Sequence, residues 1–157
     1  MKGVAGLRPV EEILSLAYLY VMKKILVLAA LLPSLGSLKA QTIKSGSYQT
    51  TGYIKEDGTI QNSSYATVGY IKSDGTIQNA GYATIGYVKD DGTIQNSGYS
   101  TVGYVKKDGT VQNSGYSTIG YVREDGTVQN SSYSTIGYAR NVKKAWAAVV
   151  FFFFSFD

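Results

Sequence analysis

A tyrosine returns every seventeen residues, at 48, 65, 82, 99, 116 and 133, and that period limits what this chain can fold into more than any other feature. Five full units run from Tyr48 to Ser132; Tyr65–Gly81, YATVGYIKSDGTIQNAG, is representative, and a sixth, partial copy starts at Tyr133. A fixed short period means one supersecondary unit stacked on copies of itself. One unit holds about five sizeable apolar side chains, worth about 2 kcal/mol each when buried. Ordering the chain costs about 1.5 kcal/mol per residue, so a single unit cannot fold alone.

Each unit places Asp-Gly between two β-branched runs, the strongest short-range signal for a β-hairpin. The dipeptides are Asp57-Gly58, Asp74-Gly75, Asp91-Gly92, Asp108-Gly109 and Asp125-Gly126, read as structural turn residues. A two-residue loop would set Ile71 opposite Gln78, mixing apolar with polar. A three-residue loop, Ser73-Asp74-Gly75 with Gly75 left-handed, sets Ile71 opposite Ile77 and Tyr70 opposite Gln78. The second register sorts the faces better and predicts a type I turn with a G1 bulge. It assigns Tyr65, Thr67, Gly69, Ile71, Ile77 and Asn79 to one face, and Val68, Tyr70, Lys72, Thr76 and Gln78 to the other. Gly69 and its equivalents Gly52, Gly86, Gly103, Gly120 and Gly137 fall mid-strand, where a bulky neighbour, expected to be a tyrosine ring, would lie on the bare backbone.

The ends of the array complement each other. Thr42–Ser47 matches the second half of a unit, and Tyr133–Tyr138 is a first half without its Asp-Gly turn. In a closed ring the two would pair and remove the exposed edges of an open array. The expected fold is therefore all-β: 17-residue hairpin repeats in a closed pseudo-symmetric ring over 41–140, five intact hairpins plus a split sixth unit, with five or six petals left open. The tail, 141–157, carries AWAAVVFFFFSF, too short to cross a membrane as a helix. It is expected to pack on or in the ring as core; the competing reading is an exposed aromatic tail that docks on a partner or lipid.

Met22-Lys23-Lys24, the apolar run Ile25–Leu32, Pro33 and small residues ending at Ala40 have the layout of a secretory signal peptide over 22–40. Cleavage after Ala40 or after Gly36 fits, and residues 1–21 read as an upstream extension ahead of the true start at Met22. Export to the periplasm, cell surface or surroundings is expected, without a transmembrane span.

The formal charge of +4 suggests a polyanionic partner until the charges are located. From Gln41 onward ten Lys or Arg face nine Asp or Glu, leaving about +1. Without a basic stripe, nucleic-acid binding lacks its electrostatic footing. Cys and His are absent, which removes thiolate nucleophiles, imidazole bases and the usual zinc ligands. The acidic pairs Glu56-Asp57, Asp90-Asp91 and Glu124-Asp125 read as turn chemistry ahead of a glycosidase carboxylate pair. No metal or cofactor is expected, and near-identical units offer no singular catalytic constellation. Repeated surfaces suit multivalent binding instead, with Tyr53, Tyr70, Tyr87, Tyr104, Tyr121 and Tyr138 as candidate platforms for sugar rings or cations. Partners remain open: a glycan, an envelope protein, or a second copy in a homo-oligomer.

The repeat STIGYVREDGTVQNSS, the terminal YSTIGYAR and the AWAAVVFFFF tail together resemble the 5-fold β-flower proteins, small secreted bacterial proteins, over about Gln41–Phe156. The resemblance implies hairpin petals about a pseudo-symmetric axis and no established activity, so it transfers no functional residue.

Overall fold

The computed structural model describes residues 14, 15, 17–23 and 40–156. The chain divides into two compact units, Met1–Ser37 and Leu38–Asp157. Residues 14, 15 and 17–23 of the first are helical. The apolar run Ile25–Leu32 and the cleavage positions at Gly36 and Ala40 bear the leader assignment; of these only Ala40 is among the described residues.

The second unit is a closed barrel of twelve antiparallel strands in meander order. They are β1 (Gln41–Ser45), β2 (Thr50–Ile54), β3 (Thr59–Asn62), β4 (Thr67–Ile71), β5 (Thr76–Asn79), β6 (Thr84–Val88), β7 (Thr93–Asn96), β8 (Thr101–Val105), β9 (Thr110–Asn113), β10 (Thr118–Val122), β11 (Thr127–Asn130) and β12 (Thr135–Ala139). The ring closes where β1 meets β12, with Ile43 opposite Ala139 and Lys44 opposite Tyr138. Closure leaves no unpaired sheet edge.

Two alternating turns build the wall. In the first, Gly75 N donates to Lys72 O at 2.9 Å and Lys72 N to Thr76 O at 2.8 Å, with Gly75 at φ +84. That is the three-residue loop with a left-handed glycine, and Tyr70 stands opposite Gln78 and Ile71 opposite Ile77. Asp74 Oδ1 accepts from Thr76 N at 2.9 Å, the side-chain-to-backbone bond that suits Asp to this place. The Gly75 carbonyl accepts from Val88 N of the next hairpin at 2.8 Å, which ties neighbouring units together.

Simple alternation fails at one point in each unit. Ile77 pairs with Gly86 but Gln78 with Thr84, so Ile85 is an extra residue in a β-bulge, and Val68 holds the same place between Thr67 and Gly69. The bulge corrects the assignment of Val68 to the Tyr70 face, because it turns this side chain inward among Ile71 and Ile77.

The interior is lined by Ile54, Ile71, Ile77, Ile94, Val111, Val122 and Val128, all essentially without solvent contact. A helix over Lys144–Ala148 continues as a π-helix over Val149–Phe153, and Trp146, Ala147, Ala148 and Val149 are buried in the same core. The small side chains of Ala147 and Ala148 let this backbone approach the Ile/Val wall. The wide turn is closed by an i to i+5 bond, Phe154 N to Val149 O at 3.0 Å.

The phenylalanines then step around the wall one unit at a time. A Cβ added at Gly137, Gly120, Gly103, Gly86 or Gly69 would overlap the ring of Phe151, Phe152, Phe153, Phe154 or Phe156 respectively. The ring against each of these glycines is thus a phenylalanine of the tail and not a tyrosine, because the tyrosines beside them stand on the opposite face. At Gly52, the sixth, the nearest atoms are backbone atoms of Gln61 and Asn62.

Candidate functional site

The outward face of every unit carries a pair of stacked tyrosines. Tyr53 lies on Tyr65, Tyr70 on Tyr82, Tyr87 on Tyr99, Tyr104 on Tyr116, Tyr121 on Tyr133 and Tyr138 on Tyr48, with centroids 4.3–5.0 Å apart and planes within 10–17°. The expected platform residues are therefore present on one face, each with a partner. Tyr65 joins Tyr53, not the Ile71 face on which alternation placed it.

The second ring of each pair comes from a backbone that tyrosine rarely adopts. Tyr48, Tyr65, Tyr82, Tyr99, Tyr116 and Tyr133 have φ of 62–64°, in the left-handed region that costs a residue with a Cβ about 1–2 kcal/mol. The surrounding turn imposes it. Tyr82 N donates to Asn79 O at 3.0 Å, Asn79 N donates to Ala83 O at 3.0 Å, and Asn79 Oδ1 accepts from both Gly81 N and Ala83 N at 3.0 Å. In four units a glutamine on the adjoining strand clamps the same residue: Gln61 Nε2 donates to Tyr65 O at 2.8 Å, with Gln95, Gln112 and Gln129 doing the same. This turn has the geometry of the Asp-Gly turn with tyrosine where glycine would relieve the strain. Sequence reasoning missed these six residues as site partners; the available signal was the Asn-x-x-Tyr spacing just before each new strand.

Stacking brings the phenols together at their tips. Tyr53 Oη donates to Tyr65 Oη at 3.0 Å, and Tyr70, Tyr87, Tyr104 and Tyr121 reach their partners at 3.1 Å. This bond favours the protonated donor and holds the phenols of Tyr53, Tyr70, Tyr87, Tyr104, Tyr121 and Tyr138 above the usual range. The upper tyrosines are 59–66% exposed, so their outer faces are open to solvent. A cleft of about 330 Å³ beside Tyr87 and Tyr99 is walled by Asp74, Lys89, Asp90 and Gln95. At Tyr121 an arginine joins the pair: the Arg123 guanidinium lies 5.0 Å from the Tyr121 ring and 5.8 Å from Tyr133, while its Nε donates to Gln129 Oε1 at 2.8 Å.

The turn aspartates are committed to structure. Asp57, Asp91, Asp108 and Asp125, like Asp74, each accept from the backbone N–H two residues on, at 2.9 Å, and this bond lowers each carboxyl. The glycines after them, Gly58, Gly92, Gly109 and Gly126, share the left-handed conformation of Gly75. Of the acidic neighbours, Glu124 pairs with Lys144, whose Nζ also donates to Lys107 O at 3.0 Å and so fastens the tail to the rim. Among the described residues no group of three or more acidic side chains is placed to hold a metal ion.

One hairpin copied around an axis until it meets its own beginning, with the following segment wound into the interior, defines an all-β hairpin-repeat barrel that displays repeated aromatic pairs. The chain belongs to the 5-fold beta-flower protein family, whose model matches residues 40–155. Neither the curated proteins nor the solved structures yielded a match. Among the described residues no helix is long and apolar enough to cross a membrane.

Proposed function

We propose that this is an exported, non-catalytic binding module of the cell envelope or its surroundings, whose repeated tyrosine clefts bind a glycan at several points at once. The supporting observation is the left-handed tyrosine. A glycine would form the same turn without strain, yet all six such turns hold an aromatic ring in the costly conformation. Backbone strain retained at every equivalent position is what a surface selected for its exposed rings would carry. Flat phenol faces stack on the C–H faces of sugars, and neighbouring amide and hydroxyl groups supply directional hydrogen bonds. Weak sites repeated around a ring gain avidity.

In this reading residues 22–40 direct export, 1–21 lie upstream of the functional start, and the ring counts five intact hairpins and a sixth split between its ends. The aromatic tail serves the barrel as core. The alternative, an adhesion component assembled through that tail, is less well supported, since Trp146 through Val149 are buried and the phenylalanine rings rest on strand glycines.

A glycan array probed with residues 41–157 tests the proposal. Binding that weakens progressively as Tyr70, Tyr87 and Tyr104 are changed to Ala supports it; a blank array, or binding unmoved by the three changes, overturns it.

A further inference from the structure

One tyrosine cleft is chemically unlike the rest, and it lies where the ring closes. Around the wall the strand residue opposite the lower tyrosine is glutamine, as Gln61 stands opposite Tyr53 and Gln129 opposite Tyr121. At the closure the residue opposite Tyr138 is Lys44. Two positions beyond the lower tyrosine comes a cation in every unit, here Arg140. The Tyr121 cleft shows what an arginine does there when glutamine faces it: Arg123 bonds to Gln129 and lies 5.0 Å from the Tyr121 ring. Lys44 offers no acceptor to Arg140, so the arginine here is not tied down by the same bond.

A cleft of about 540 Å³ lies at the seam, where Ala40 and Gln41 add a wall that the cleft of about 330 Å³ beside Tyr87 lacks, and its size is within the range of small-molecule sites of about 300–1,000 Å³. Its charge is also reversed. The Tyr87 cleft is lined by Lys89 with Asp74 and Asp90, net −1, whereas the seam is lined by Lys44 and Arg140 with Glu56 alone, net +1. Asp125, whose carboxyl is influenced by Arg140, is bound to its own turn through Thr127 N and Oγ1 and does not line the cleft. The Tyr48–Tyr138 pair, at 4.3 Å the tightest of the six, forms the aromatic wall.

We infer that the seam cleft is a distinct site for an acidic sugar, a hexuronate residue within a glycan. The carboxylate is held between Lys44 and Arg140, the latter able to engage both oxygens. The ring packs against the tyrosine pair, and Thr42 and Asn141 face its hydroxyls. This inference rests on the glycan-binding reading above and adds a preference at one position that the other clefts do not share.

Isothermal titration of residues 41–157 with trigalacturonate and with its carboxyl-reduced, neutral counterpart separates the two ideas. The expected result is at least a tenfold tighter fit for the acidic trisaccharide, weakening as salt is raised. The preference should vanish in Lys44→Gln, which restores the residue carried by the other clefts, and in Arg140→Ala. Circular dichroism melts confirm that the variants fold. Equal binding of both probes, or a preference that survives both seam substitutions, overturns the acidic-sugar site and leaves the general glycan reading standing. Binding of neither probe to the folded protein overturns the acidic-sugar site, and the glycan array decides the general reading.

Discussion

The ring of Phe152 lies on the bare backbone of Gly120, so closely that a Cβ added to the glycine would overlap Cζ and Cε1 of that ring as well as the carbonyl of Gln129. Gly120→Ala must therefore displace both a ring wedged against the core and a ladder carbonyl. Overpacking of this kind costs about 1–3 kcal/mol. The denaturant midpoint should fall accordingly with an unchanged slope, and a midpoint equal to that of the parent protein would contradict the packing described for the tail.

Tyr82 offers a test of whether the left-handed tyrosines are retained at a cost. Tyr82→Ala loses the stacking on Tyr70, worth about 0.5–1.5 kcal/mol, and keeps the backbone strain. Tyr82→Gly loses the same stacking but relieves about 1 kcal/mol of strain. The glycine variant is thus expected to be the more stable of the two by about 1 kcal/mol, the reverse of the usual order away from such turns. Thermal melts of the pair decide the point, and an alanine variant at least as stable would show that the turn does not hold this residue in strain.

These features were unequally legible in the sequence. The Asp-Gly turn, its register and the all-β ring could be read because turn chemistry is local and side-chain alternation has only two phases. Val68 was misplaced because a bulge breaks that alternation without any composition cue of its own. The partner of Gly120 was misread because the ring that covers it comes from residue 152, far along the chain, while a tyrosine lay next door. Tyr70 was found as a candidate platform, but Tyr82 was not joined to it: the fold brings the two together through a turn that tyrosine seldom occupies. The pairing of the two ends was legible in the sequence, and the register at closure sets Lys44 opposite Tyr138, where the other units carry glutamine.

The turn carboxyls set the acid limit. Asp57, Asp74, Asp91, Asp108 and Asp125 are all lowered, first of all by the N–H bond from the residue two positions on. A folded value below the unfolded one contributes stability that is present above the unfolded carboxylate range, near pH 4, and is lost as pH falls through the folded values. Stability should be level from neutrality to about pH 5 and decline below about pH 4. Asp74→Asn keeps an acceptor for Thr76 N and should flatten part of that decline; an unaltered acid profile would remove these turns from its cause.

The phenols set the opposite limit, with the opposite sign. Tyr70 and its five equivalents are raised because the proton each donates to its stacked partner is held in the folded state. Their contribution is complete below the unfolded phenol range, near pH 10, and is lost as pH rises through the folded values. Absorbance at about 295 nm, where phenolate absorbs, should show these tyrosines ionising above the free-phenol range of about pH 10. Tyr82→Phe removes the acceptor while preserving the stacked ring, so its difference titration should show one phenol returning towards the ordinary range. If the donor phenol of Tyr70 is unmoved by that change, the hydroxyl contact does not govern its ionisation, and the alkaline stability of the ring must come from elsewhere.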